Sequence, residues 1–124
     1  MKKLIYIIIL FSPLTLFALE KTKEEKVAKY VIENIQKDYV ACYSFYKVST
    51  VTFEKVGKEK YLIEGLEKSA DITLKFNYDL GEVLGLTPKI MAQTNKKEVE
   101  KFTKIAKKDF PSLAKKYGLM CKEL

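Results

Sequence analysis

Residues 31–48, VIENIQKDYVACYSFYKV, form the centre of a longer stretch whose apolar side chains recur at spacings of three, four and seven or eight. The apolar positions of this stretch are Val27, Val31, Ile35, Cys42, Phe45, Phe53 and Val56. Such spacings are typical of an amphipathic α-helix that buries one face. We predict a helix over 21–56, ended by Gly57, because glycine adopts the left-handed conformation at little cost.

Residues 48–65 allow a second interpretation. They are rich in β-branched side chains and contain a turn-like Gly-Lys-Glu at 57–59, which would also suit a β-hairpin. The apolar positions do not alternate as they would in a strand, and both flanks are helical in pattern. We therefore favour helix here.

Two further helical patterns follow. One runs over 59–84, and the next begins at Thr87, whose hydroxyl can cap a helix that starts with Pro88. Asn95 is followed three residues later by Glu98, which resembles a capping box and predicts a break in the third helix.

The last part of the chain predicts a short fourth helix. Pro111 closes or kinks the third helix, Asp109 can cap the final one, and Gly118 can end it. The predicted fold class is all-α, a small antiparallel bundle of three long helices and a short C-terminal helix, forming one domain over 19–124.

The first 18 residues, MKKLIYIIILFSPLTLFA, begin with two lysines, continue with a short apolar run and end at Ala18. This layout is typical of a secretory signal peptide. An uncleaved membrane anchor is the alternative, but a spanning helix needs about 20 apolar residues, and Pro13 interrupts this shorter run. We predict a signal peptide over 1–18, a periplasmic or secreted mature chain and, from the compact signal and lysine-only basic residues, a bacterial source.

The chain contains two cysteines, Cys42 in the first helical pattern and Cys121 near its end. In an exported protein two cysteines tend to pair. Free buried thiols are one alternative, and redox or intermolecular chemistry is another, although redox chemistry would suit a C-x-x-C pair better. We predict a structural Cys42–Cys121 disulfide, which the chain-entropy model values at about 4 kcal/mol.

The basic residues are all lysines, and histidine is missing. Without histidine the chain cannot form a Ser-His-Asp or Cys-His catalytic site or the usual His-containing zinc site. Without arginine it lacks the side chain that best reads guanine, which argues against sequence-specific nucleic-acid binding. Carboxylates at helical spacing, such as Glu64 with Glu67 or Asp71, are also what a solvated helix shows. We predict no catalytic residue, no metal site and no cofactor.

Lysine is concentrated in the last third of the chain. Residues 89–124 hold 10 lysines and 4 acidic residues, whereas residues 19–88 hold 11 lysines and 12 acidic residues. We predict a basic face, defined as Lys97, Lys101, Lys104, Lys108 and Lys115, which Lys107 and Lys116 extend. Such a face would attract anionic lipid headgroups, an acidic envelope polymer or an acidic protein. A solvated lysine-rich surface is the alternative.

Tyr39, Tyr43 and Tyr46 lie at i, i+4 and i+7 of the first helical pattern. One interpretation is an aromatic groove for an apolar or aromatic ligand. The alternative is that these tyrosines border the core and keep their hydroxyls in water.

These features predict a small exported helical protein that is a binding or interaction module rather than an enzyme. Its predicted partner is a protein or an anionic envelope surface, with no transmembrane span after signal cleavage. One alternative is a small inhibitor or immunity-type protein that caps a partner enzyme. Another is a histidine-independent hydrolase that uses the acidic pairs together with Tyr39 or Tyr43.

Overall fold

The computed structural model describes residues 2–124, with side chains from Thr22 onward. Its elements are three helices, α1 (Lys2–Lys55), α2 (Lys60–Val83) and α3 (Pro88–Glu123), and the described residues form no strand. The all-α prediction is therefore confirmed. The predicted signal peptide, residues 1–18, lies outside the part of the chain whose side chains are described, and it stays a prediction.

The chain divides into two compact units, Met1–Ile32 and Glu33–Leu124. The described side chains of the first unit belong to α1, where Val27 and Tyr30 are 63% and 67% exposed. The second unit contains the rest of α1 together with α2 and α3. All features described below lie in the second unit.

The segment 48–65 is helix, turn and helix. Gly57 has a φ of 69°, the left-handed conformation that ends α1 without the steric cost another residue would meet. The Lys58 amide nitrogen donates to the Phe53 carbonyl oxygen at 3.0 Å, which closes the last turn. The helical interpretation of this segment is confirmed, and the hairpin alternative is wrong.

Helix α3 begins where the sequence predicts. The Ile90 amide donates to the Thr87 hydroxyl at 3.2 Å, and Pro88 occupies the first turn. The predicted break at Asn95 is wrong, because Asn95 lies inside a continuous helical stretch and is buried. Its side-chain oxygen accepts a hydrogen bond from Asn77 of α2, so this amide joins two helices and caps neither of them.

The kink in α3 lies at Asp109, whose φ of −158° and ψ of 76° are not helical. Asp109 Oδ1 accepts a hydrogen bond from the Ser112 amide at 3.1 Å, which is the predicted N-cap of the last helical segment. The kink divides α3 into the halves 88–108 and 110–123. The predicted end at Gly118 is wrong, since the helix continues to Glu123.

The second half of α3 runs back along α1. Phe110 lies 6.3 Å from Phe53, and Tyr117 lies 6.4 Å from Phe45, both measured between ring centroids. Contact positions therefore ascend along α3 while they descend along α1, as expected for an antiparallel pair. The three long helices and the short terminal one confirm the predicted bundle.

The disulfide between Cys42 and Cys121 completes this pairing and confirms the predicted bridge. Their Cα atoms are 5.3 Å apart, and both cysteines belong to the main apolar core. The buried residues of this core are Cys42, Phe45, Val48, Phe102, Leu113 and Cys121. Helix α2 contributes to none of these positions, and the residues it buries are Ala70, Thr73, Asn77 and Gly81.

Candidate functional site

A buried chain of side-chain amides sets the relative positions of the three helices. Gln36 Nε2 of α1 donates to Asn77 Oδ1 of α2 at 3.0 Å, and Asn77 Nδ2 donates to Asn95 Oδ1 of α3 at 2.6 Å. All three side chains are buried, and Asn95 Nδ2 has no hydrogen-bond partner, so a shift of any helix would break a buried hydrogen bond. This amide relay specifies the register of the bundle.

Lys47 lies in α1, C-terminal to Gln36 of the relay. It is on the same helix face as Gln36 and Tyr43. Three cavities border it, and Lys47 lines each of them. The first lies between α1 and α3, the second between α1 and α2, and the third borders all three helices. This exposed lysine is therefore shared by the three cavities.

The first cavity, which we call the valine groove, has a volume of about 330 Å³. Its lining is Lys47, Val48, Val51, Thr52, Lys55, Val56, Val99, Thr103, Ala106 and Lys107. The Thr52 hydroxyl donates to the Val48 carbonyl and the Thr103 hydroxyl to the Val99 carbonyl, so both donors are used within their own helices. The groove therefore combines apolar walls with a rim of three lysines.

The second cavity, which we call the acidic cavity, has a volume of about 370 Å³. Glu54, Glu67 and Asp71 line it together with Lys47. All three acidic residues are exposed, whereas Tyr43 lines a different cavity. The hydrolase alternative requires Glu64, Glu67 or Asp71 in one pocket with Tyr39 or Tyr43, and it stays a prediction.

The third cavity, about 350 Å³ in volume, is bordered by Tyr43 and Tyr78, and we call it the tyrosine cavity. Burial raises the pKa of the Tyr43 hydroxyl above its usual range, and the charges of Tyr78 and Asp71 raise that pKa further. A tyrosine hydroxyl is protonated at neutral pH even with its ordinary pKa, so this rise does not change its protonation state there. Lys96 and Glu100 also line the cavity, so its lining contains both a positively and a negatively charged side chain.

The three tyrosines of the predicted aromatic groove have different surroundings. Tyr39 stacks on Phe76 of α2, with ring centroids 5.4 Å apart. Tyr43 lines the tyrosine cavity, and Tyr46 packs against the main core, where burial raises its pKa. Ligand binding by these tyrosines stays a prediction.

The five lysines of the predicted basic face are all exposed. In the described part of the chain, one of them has a carboxylate within 4 Å, since Lys101 Nζ lies 3.8 Å from Glu98 Oε1. Lys97, Lys101, Lys104 and Lys108 follow one side of α3, opposite the buried Phe102. Their use in binding stays a prediction.

The pattern of the sequence does not single out two of the three rim lysines of the valine groove. Lys55 and Lys107 belong to lysine-rich stretches in which no spacing rule distinguishes them. The third rim lysine, Lys47, can be distinguished in the sequence. It continues a helical face with Gln36, Val40 and Tyr43, where an apolar residue would be expected.

Among the residues with described side chains there is no group of three or more His, Cys, Asp or Glu able to hold a metal ion. None of the helices, searched over the same residues, is long and apolar enough to cross a membrane. The sequence matches no protein-family model, and no curated protein or solved structure is significantly similar to it.

Proposed function

We propose that this protein is an exported binding protein that attaches through its basic face to an anionic surface in the periplasm or outside the cell. The observation that carries the proposal is the row of exposed lysines along one side of α3, of which Lys101 alone, among the described residues, lies near a carboxylate. Such a row produces a positive electrostatic potential, which attracts a negatively charged lipid or polymer surface.

Export is supported by the Cys42–Cys121 disulfide, because structural disulfides persist mainly in oxidising compartments. The intact mass of protein recovered from cells tests this part of the proposal. A mass that begins at Leu19 is expected, and a mass that retains residues 1–18 would contradict cleavage.

The basic face is tested by sedimentation with phosphatidylglycerol vesicles at low and physiological salt. Because each lysine near an anionic surface contributes about 1 kcal/mol, we expect the triple variant Lys101→Glu, Lys104→Glu and Lys108→Glu to bind at least about 100-fold more weakly. Binding by the unaltered protein should also weaken as salt rises, because exposed charges are screened.

The matched control changes the same net charge away from the basic face, with Lys58→Glu, Lys68→Glu and Lys75→Glu, all exposed positions in or next to α2. This control should keep most of the binding. Equal losses of binding in the two triple variants would mean that net charge alone matters, and this result would overturn the proposal. The absence of binding by the unaltered protein would also overturn it.

A further inference from the structure

We infer that the valine groove is a binding site for a monomeric medium-chain fatty acid, with the acyl chain between α1 and α3 and the carboxylate at the lysine rim. None of the five lysines that define the basic face lines the groove, and of the groove lysines Lys107 alone extends that face. The inference therefore does not rest on the proposed attachment to an anionic surface.

The walls of the groove expose apolar area that binding would cover. Val51 is 49% exposed and Val56 is 64% exposed, whereas Val48, deeper in the groove, is only 5% exposed. Because Thr52 and Thr103 donate their hydroxyl protons to their own helices, the walls leave no hydroxyl proton free for a polar ligand. An acyl chain fits this chemistry, since its burial releases water from apolar surface at both partners.

The rim selects the sign of the ligand charge. Lys47, Lys55 and Lys107 line the groove, and no acidic residue of the described chain does. Lys47 also borders the acidic cavity, but Lys55 and Lys107 border the valine groove alone among the three cavities. A carboxylate beside these two ammonium groups would form charge-assisted hydrogen bonds next to an apolar wall.

The size of the groove restricts the ligand further. Its volume of about 330 Å³ is near the lower end of the roughly 300–1,000 Å³ range typical of small-molecule sites. One short acyl chain suits this volume better than the two chains of a phospholipid. The tyrosine cavity is similar in size, but its lining includes Glu100, which would repel a carboxylate.

The test is a titration of the full-length oxidised protein with sodium decanoate, followed through the valine methyl signals in NMR spectra. We expect saturable shifts at Val51, Val56 and Val99, with much smaller shifts for 1-decanol and decyltrimethylammonium at the same concentrations. Equal binding of the cationic amphiphile would overturn the inference. Decanoate shifts confined to residues outside the groove would also overturn it.

Two sets of variants connect the binding to the groove. Lys55→Glu with Lys107→Glu should weaken decanoate binding by roughly tenfold or more, whereas Lys58→Glu with Lys68→Glu, which changes net charge equally, should not. Ala106→Phe should fill the groove and abolish binding. If that variant does not fold, Val51→Glu at a half-exposed wall position replaces it and should likewise abolish binding.

A second copy of the chain is the competing occupant of the same apolar walls. In that case the groove methyl signals would shift with protein concentration in the absence of decanoate, and this result would overturn the inference. Unchanged decanoate affinity in the rim and wall variants would have the same effect.

Discussion

At the scale of single residues, two glycines of α2 lie in different surroundings. A Cβ atom added to Gly65 would meet no atom within 4 Å, whereas one added to Gly81 would collide with Met91 Sδ of α3. Gly81 and Met91 are both buried, so the side chain of Met91 has little room to move. Gly81 is therefore required by the close approach of α3, and Gly65 is not.

We expect Gly81→Ala to destabilise the fold by about 1–2 kcal/mol, because the added methyl group must displace Met91 in a packed contact. Gly65→Ala should instead stabilise it by up to about 1 kcal/mol, since alanine favours helix at an open position. Urea denaturation of both variants measures the two free energies of unfolding. Equal and favourable changes would show that the Gly81–Met91 contact does not constrain α2.

Single residues also show where sequence patterns mislead. Asn95 and Asp109 are both residue types that cap helices, yet only Asp109 does so. The difference is that Pro111 prevents the helix from continuing unchanged through Asp109, whereas nothing near Asn95 interrupts helical hydrogen bonding. Whether an asparagine caps a helix or enters a buried relay depends on the neighbouring helix, which local sequence does not contain.

At the scale of elements, one carboxylate, that of Asp109, caps the second half of α3 at the kink. Hydrogen bonds from the Ser112 hydroxyl and amide to Asp109 lower the pKa of that carboxyl below its ordinary value of 3.8. The ionised carboxylate is therefore bound more favourably in the folded state than in the unfolded state. Its contribution to stability is present above the unfolded pKa and is lost as pH falls through the lower, folded value.

We expect the stability difference between the unaltered protein and Asp109→Asn to shift in favour of Asn as pH is lowered from 6 to 3. Asparagine is also a good cap but does not titrate in this range, so its contribution persists in acid. Urea denaturation at several pH values measures the difference, with Asp79→Asn, an exposed aspartate of α2, as the control. A pH-independent difference for Asp109→Asn would contradict the proposed cap.

At the scale of the whole molecule, stability is concentrated between α1 and α3. The main core joins these two helices, and the disulfide links cysteines that are 79 positions apart in the sequence. Helix α2 is held by small and polar buried residues and by the amide relay. The bundle is thus a firmly tied pair of helices with a third helix that has less apolar support.

We expect replacement of both cysteines by alanine to lower the free energy of unfolding by about 4 kcal/mol, because the unfolded chain regains the entropy of an open loop. Amide exchange should accelerate most in the half 110–123, whose end Cys121 ties to α1. Chemical denaturation and hydrogen exchange measure the two effects. Intact mass with and without reduction verifies the starting state, since two alkyl groups should add only after reduction.

A single-cysteine variant, Cys42→Ala, separates the bridge from the packing of the sulfur atoms. It should lose nearly as much stability as the double variant. A double variant that unfolds at the same urea concentration as the oxidised protein would contradict a structural role for the disulfide.

Local rules in the chain are enough to predict its three helices and its disulfide, although they place a false break at Asn95 and a false end at Gly118. Apolar spacing predicts the three long helices, Gly57 and Thr87 mark two of their ends, and two cysteines allow one internal pairing. The helices and their ends depend on residues close together in sequence. The disulfide can be predicted because two cysteines allow only one intramolecular pair. For this reason they can be predicted without knowledge of how the helices cross.

The three cavities that Lys47 lines depend on how the helices cross. The amide relay and the close contact at Gly81 bring α3 against α2 at one level, and the cavities beside Lys47 form farther along α1. Lys55 and Lys107 are 52 residues apart in the chain and line one groove only because the packed helices bring them together. The valine groove is a property of that packing, since side chains distant in sequence line one cavity only when tertiary contacts place them side by side.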